Sequence, residues 1–149
     1  MEKKSAEKFT YSKLHHVGLV VKDIDKAVAY LKSIGIGPFD EKFTIPFKGE
    51  LHGKPAEWKT TICNAKLGGV ELELLEPTEG NQALKESLDA TGEGLHHIGF
   101  LVNDFDAALA KGKKDGLKIW TMSKRAGEPS FLYYEPTETC KLAIELRTP

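Results

Sequence analysis

Two histidines and two glutamates in this chain stand where strand alternation turns them toward one common space. Gly94 to Val102 reads Gly-Leu-His-His-Ile-Gly-Phe-Leu-Val, and Leu14 to Val21 reads Leu-His-His-Val-Gly-Leu-Val-Val. Successive side chains of a strand face opposite sides. Ile98, Phe100 and Val102 therefore share an apolar face, while His97, Gly99 and Leu101 share the other. The earlier copy divides in the same way, Val17, Leu19 and Val21 against His16, Gly18 and Val20. Each histidine thus has a glycine beside it on its own face, which leaves a donor next to an open space. Two later stretches add acids by the same alternation: Glu71, Glu73 and Leu75 opposite Val70, Leu72 and Leu74, and Ala143, Glu145 and Arg147 opposite Leu142, Ile144 and Leu146. His16, Glu73, His97 and Glu145 make two imidazoles and two carboxylates, a set that suits one divalent first-row ion such as Mn, Fe, Co, Ni or Zn. Singly, a strand histidine is more often a hydrogen-bonded residue than a ligand, and a strand glutamate is more often solvated. The paired placement raises these four above that background. His15 and His96 fall on the apolar face, where a supporting role is expected.

The elements that must position them come from an internal repeat. Sliding Leu14–Gly35 by 81 positions lays it on Leu95–Gly116 with about half the residues identical and no gap. Each copy passes from strand to helix. Asp23 and Asp104 are suited to cap the helix N-termini, with Asp25 and Asp106 in the first turn, where the helix dipole favours negative charge. Ile24, Ala27, Val28, Leu31 and Ile34 recur at helical spacing. Gly35 and Gly116 fit left-handed C-terminal caps, and Gly112 inside the second helix costs ~1 kcal/mol against alanine. Beyond the first helix, Phe39–Thr44 is expected as a strand, 45–55 as a loop, Glu57–Ala65 and Val70–Leu75 as a hairpin turning at Gly68-Gly69, and Thr78–Thr91 as a helical connection. Beyond the second come Lys118–Met122, a polar loop Ser123–Ser130, Phe131–Tyr134 and Lys141–Arg147. Each half reads βαβββ. The class is α+β, and two such units curl eight strands into a half-barrel with a concave inner face. The expected division is a tail over 1–12 and one domain over 13–149, its repeats at about 13–77 and 94–149 joined by 78–93.

Composition bounds the function. A chain of 149 residues with 40% hydrophobic and 29% charged residues has the make-up of one ordinary soluble domain with a core of its own. A formal net charge of −1 offers no global attraction to nucleic acid or to an anionic membrane. No apolar run approaches the ~20 residues needed to span a bilayer. The start is rich in Lys and Glu and lacks the apolar segment of a secretory signal. Cys63 and Cys140 are too few for a disulfide scaffold, so reduced thiols and a cytoplasmic setting are expected.

The motifs Leu-His-His-Val-Gly (14–18), Glu-Leu-Leu-Glu-Pro (73–77), Gly-Leu-His-His-Ile-Gly (94–99) and Ala-Ile-Glu-Leu (143–146), in this order, resemble the vicinal oxygen chelate superfamily. That superfamily includes glyoxalase I, methylmalonyl-CoA epimerase, extradiol dioxygenases and the fosfomycin and bleomycin resistance proteins. The resemblance covers nearly all of 13–147 and implies paired βαβββ modules around one metal, with ligands matching His16, Glu73, His97 and Glu145. It also implies a homodimer. Four protein ligands resemble the glyoxalase and epimerase branches, and Val-Glu-Leu-Glu-Leu-Leu-Glu-Pro (70–77) looks nearest to methylmalonyl-CoA epimerases and their uncharacterised relatives.

What the resemblance implies is a metal-dependent isomerase or epimerase that removes a proton next to a carbonyl or thioester. Its partner is a small molecule such as an acyl-CoA. Two residues are candidates for the base. One is Glu145, if it loosens from the metal. The other is Glu57, sixteen residues before Glu73, as an acidic residue stands in the epimerases. Lys124 and Arg125 are candidates to hold a CoA phosphate or a carboxylate. Trp58, the 47–54 stretch and Cys140 depart from the epimerase pattern, which puts the substrate in question. The alternatives are a glyoxalase I-type lactoylglutathione lyase and a metal-free small-molecule-binding protein of the resistance type.

Overall fold

The computed structural model of the chain describes residues 9–149. Its order is β1 (His16–Val20), α1 (Ile24–Ser33), β2 (Phe43–Leu51), β3 (Lys54–Leu67), β4 (Val70–Glu79), α2 (Ala83–Thr91), β5 (Gly94–Leu101), α3 (Phe105–Lys114), β6 (Ile119–Arg125), β7 (Glu128–Tyr134) and β8 (Ala143–Arg147). Two βαβββ modules are thus present, joined by α2. Of the tail expected over 1–12, residues 1–8 lie outside the described residues, and Tyr11 packs its ring on Phe100 with centroids 5.9 Å apart.

The eight strands form one curved sheet in the order β1-β4-β3-β2-β6-β7-β8-β5. Each module contributes four neighbours. The modules meet through antiparallel β1–β5 pairing, and the far ends join where Gly49, Glu50 and Leu51 pair with Ser123, Met122 and Thr121. The half-barrel curvature expected from the repeat is therefore carried through to closure. At the join, a Cβ on Gly49 would run into the Met122 carbonyl, so only glycine lets the two backbones approach there.

Local chemistry explains most boundaries. Asp23 accepts from the Lys26 N–H at 3.1 Å and Asp104 from the Ala107 N–H at 3.0 Å, capping α1 and α3 as their sequences suggest. Two expected loops are hairpin arms instead. The 45–55 stretch lies in β2 and β3, turning at His52-Gly53, and the 123–130 stretch lies in β6 and β7, turning at Ala126-Gly127. Both turns place two consecutive residues at positive φ, +52° and +77° in the first and +52° and +80° in the second. Those are the primed turns that match the twist of a tight hairpin. The proline and charge that suggested a loop at 45–55 are tolerated because β2 is paired on only one side over most of its length.

Burial falls in three places. Val21, Ile24, Cys63 and Leu74 lie beneath α1, and Val102, Phe105, Ala108, Met122, Leu132, Tyr134 and Leu146 beneath α3. The third cluster, Val20, Ile62, Leu75 and Leu84, places α2 against the inner face of the sheet. Burying a side chain such as Leu84 is worth about 1.5–3 kcal/mol, so α2 is held as a plug and not as a loose connection. Both cysteines are free, and no described helix is long and apolar enough to cross a membrane.

Gly112 has a packing reason that propensity alone misses. A Cβ there would meet the Tyr134 hydroxyl, which is buried and lacks a hydrogen-bond partner. Gly112→Ala, expected from helix propensity to stabilise by ~1 kcal/mol, should instead destabilise by about 1–3 kcal/mol through overpacking. Urea unfolding of the two proteins decides the sign.

Candidate metal centre and substrate cavity

The registers of four strands build the site as two crossed rows. Gly18 of β1 lies between Glu73 of β4 and His97 of β5, and Gly99 of β5 lies between His16 of β1 and Glu145 of β8. The space beside each glycine, left open by the sequence, is taken by the histidine of the other repeat. A Cβ on Gly18 would fall within the His97 ring, and one on Gly99 within the His16 ring. The duplication therefore makes one shared centre instead of two separate ones.

At that centre His16 Nε2 and His97 Nε2 are 3.1 Å apart. Glu145 Oε2 lies against His16 Nε2 and 4.0 Å from His97 Nε2. His16, His97 and Glu145 each offer a ligating atom within 4.8 Å of the others. Glu73 Oε2 approaches from the other side, 3.7 Å from His16 Nε2. All four side chains are buried, both histidines at 0% exposure.

The doubled histidines have a physical reason. His15 Nδ1 lies 2.8 Å from His16 Nδ1, and His96 Nδ1 lies 2.9 Å from His97 Nδ1. An inner ring that donates its Nδ1–H outward keeps the Nε2 lone pair for the cup. The outer rings suit the accepting role. Burial lowers the pKa of His96 to about 4, and burial with the neighbouring His16 lowers that of His15. Burial and then His96 hold His97 well below the usual imidazole range. For His16 burial pulls the same way, but the Glu145 and Glu73 carboxylates outweigh it and raise its pKa. The Glu73 carboxyl is pushed up to about 7, by burial first and then by the Glu145 charge.

These residues fit a divalent ion. Glu145 Oε2 is buried and faces two imidazole nitrogens, in contact with His16 Nε2 and in hydrogen-bond geometry with neither. Two carboxylates buried side by side repel one another, and a dication would neutralise both.

Above the donors lies a cavity of about 210 Å³. Phe47 stacks on Trp58 at 5.7 Å and meets the edge of Phe131 at 5.5 Å, while Tyr133 covers His97 at 4.7 Å. Thr60 donates to Gln82 Oε1 at 2.8 Å, and Gln82 Nε2 donates to the Lys59 and Glu79 carbonyls at 2.9 and 3.0 Å. Sequence reasoning passed over this aromatic wall and the Thr60–Gln82 pair. Alternation in Trp58, Thr60, Ile62 and Asn64 was the available signal, since all four line the cavity.

Other expected site residues fall elsewhere. Glu57 has the opposite parity on β3. Its side chain is 73% exposed and lies 3.4 Å from Lys48 Nζ, so the structure does not bring it to the four donors. Glu57→Gln is expected to leave metal content unchanged and any turnover within about threefold, as for an exposed ion pair, measurable by elemental analysis and initial rates. Lys124 lies 3.6 Å from Glu50 in a neighbouring groove and does not line the cavity, whereas Arg125 lines both.

A sheet of paired βαβββ modules with donors at its centre defines the class. A sequence profile of the Glyoxalase/Bleomycin resistance protein/Dioxygenase superfamily matches residues 15–134, and the chain belongs to that superfamily. Within it the chain is 26% identical over 140 residues to the uncharacterised Bacillus subtilis protein YqjC, covering 93% of each. It is also 26% identical over 140 residues to the mitochondrial methylmalonyl-CoA epimerase of Homo sapiens, covering 90% of this chain and 72% of the relative. The fold matches that of a Streptomyces coelicolor methylmalonyl-CoA epimerase variant in complex with 2-nitronate-propionyl-CoA, with a TM-score of 0.64 at 22% identity, covering 93% of this chain and 95% of that one. The Mycobacterium tuberculosis epimerase aligns with a TM-score of 0.60 at 21% identity over 93% and 89% of the two chains.

Proposed function

We propose that the protein is a divalent-metal-dependent isomerase of the epimerase type, removing a proton next to the carbonyl of a thioester such as an acyl-CoA. The observation that supports this most is the convergence of His16, His97 and Glu145 donors, with Glu73 beside them, at the floor of an aromatic-walled cavity. A divalent ion held by these four residues would polarise a carbonyl oxygen and stabilise the charge that develops as the α-proton leaves.

The chain's own groups divide the remaining work. Glu73 and Glu145 are the carboxylates lining the cavity, so the base is drawn from them and not from Glu57. Glu145 is tied closely to His16, while Glu73 stands further off. The stacked Phe47 and Trp58 keep water from the reacting carbon, and Gln82, locked by three hydrogen bonds, holds that wall in register.

The test is solvent deuterium incorporation at the α-carbon of methylmalonyl-CoA, followed by mass spectrometry on metal-loaded protein. Incorporation that disappears in His16→Ala supports the reading. Formation of D-lactoylglutathione from methylglyoxal and glutathione, with no exchange into the thioester, would replace it by the lyase reading. Purification without metal and without either activity would replace it by simple binding.

A further inference from the structure

We propose that Arg147 is a specificity residue that grips a carboxylate on the substrate, with Arg125 flanking it at the cavity mouth. This rests on the function proposed above and narrows its substrate class to carbonyl compounds that carry an acid group beside the reacting carbon.

Position comes first. Ala143, Glu145 and Arg147 share the inward face of β8, so Arg147 stands one rung, roughly 6.8 Å, beyond Glu145. Arg147 is paired in register with Phe131, Phe131 with Ser123, and Arg125 lies two residues past Ser123 on the same strand. Both arginines line the same cavity as Glu73 and Glu145. They therefore flank the Phe131 ring on one side of the mouth.

Partnering comes second. The nearby lysines are neutralised: Lys48 lies 3.4 Å from Glu57, Lys59 3.4 Å from Glu79 and Lys124 3.6 Å from Glu50. Among the described residues the guanidinium groups of Arg147 and Arg125 make no hydrogen bond and no ion pair within 4 Å. Arg147 is half-buried and Arg125 exposed, and a guanidinium is a planar fork of donors that matches a carboxylate in two parallel bonds.

Charge balance comes third. Two carboxylates and a dication sum to zero, so Arg147 and Arg125 leave the filled cavity with an excess of positive charge. A carboxylate on the substrate reduces that excess, and a neutral substrate does not.

Isothermal titration of zinc-loaded protein with malonate and with malonamide separates these cases. Wild type is expected to prefer malonate. Arg147→Gln should lose about 10–100-fold in malonate affinity, the loss of a paired charged contact, with malonamide unchanged. Arg147→Lys should recover part of the loss, which also controls for misfolding, and Arg125→Gln should cost less than Arg147→Gln. Equal malonate affinity in wild type and Arg147→Gln, or no malonate binding by wild type at millimolar concentration, overturns the proposal. Arginine-dependent malonate binding without deuterium exchange into methylmalonyl-CoA would keep the anion site and sink the isomerase reading instead.

Discussion

Glu145→Gln is expected to purify without stoichiometric metal while melting, in metal-free form, at or above the temperature of the wild type. The two halves of this result come from the same atoms. Glu145 Oε2 is buried and faces both imidazole Nε2 atoms, touching His16 Nε2, so its charge serves positive charge gathered at that point. Removing that charge relieves its repulsion of Glu73, whose pKa is raised by burial first and by that charge second. In wild type, metal at a hundred times its dissociation constant should add about 2.7 kcal/mol of stability. At about 2–4 °C per kcal/mol for a chain of this size, the melting temperature rises by roughly 5–10 °C. In Glu145→Gln that rise should vanish. Glu73→Gln should keep part of it, because Glu73 stands outside the tightest group of donors. Thermal melts with and without added zinc, paired with elemental analysis, read both effects. A Glu145→Gln protein that still melts several degrees higher with zinc would remove Glu145 from the ligand set.

Gly18→Ala and Gly99→Ala should abolish metal binding although neither glycine carries a donor. Each added methyl would occupy the ring of the opposite repeat's histidine, and these rings are fully buried. The loss in metal affinity should exceed about 100-fold, more than the 10–100-fold usual for perturbing a ligand's support. An overpacking cost of about 1–3 kcal/mol in stability should accompany it. A double-mutant cycle isolates the cause. In a His97→Ala background the stability cost of Gly18→Ala should nearly disappear, since the ring it displaces is gone, while Gly99→Ala should keep its cost. Because the rows are related by the repeat, the converse should hold with His16→Ala. Wild-type metal affinity in Gly18→Ala would mean that His97 sits elsewhere in solution.

The repeat, the alternation of strand faces and the helix caps are local properties, so the sequence by itself determined them. Residues 14–35 and 95–116 announce two equivalent βα units, and parity along each strand was enough to nominate His16, Glu73, His97 and Glu145. The same parity, applied to β3, would have turned Glu57 outward and Trp58, Thr60 and Asn64 inward, but spacing borrowed from a resemblance led to Glu57 instead. Polar content misled at 45–55 and 123–130, because a two-residue primed turn with one open strand edge tolerates proline and charge that usually mark loops. Only the tertiary structure decided the rest. Which histidine fills the space beside which glycine depends on the register between β1 and β5, residues 81 apart in sequence. Whether α2 lies outside the sheet or plugs its concave face depends on which surface buries Leu84. Both are contests between distant surfaces for apolar contact and room, and no periodicity within a single segment records their outcome.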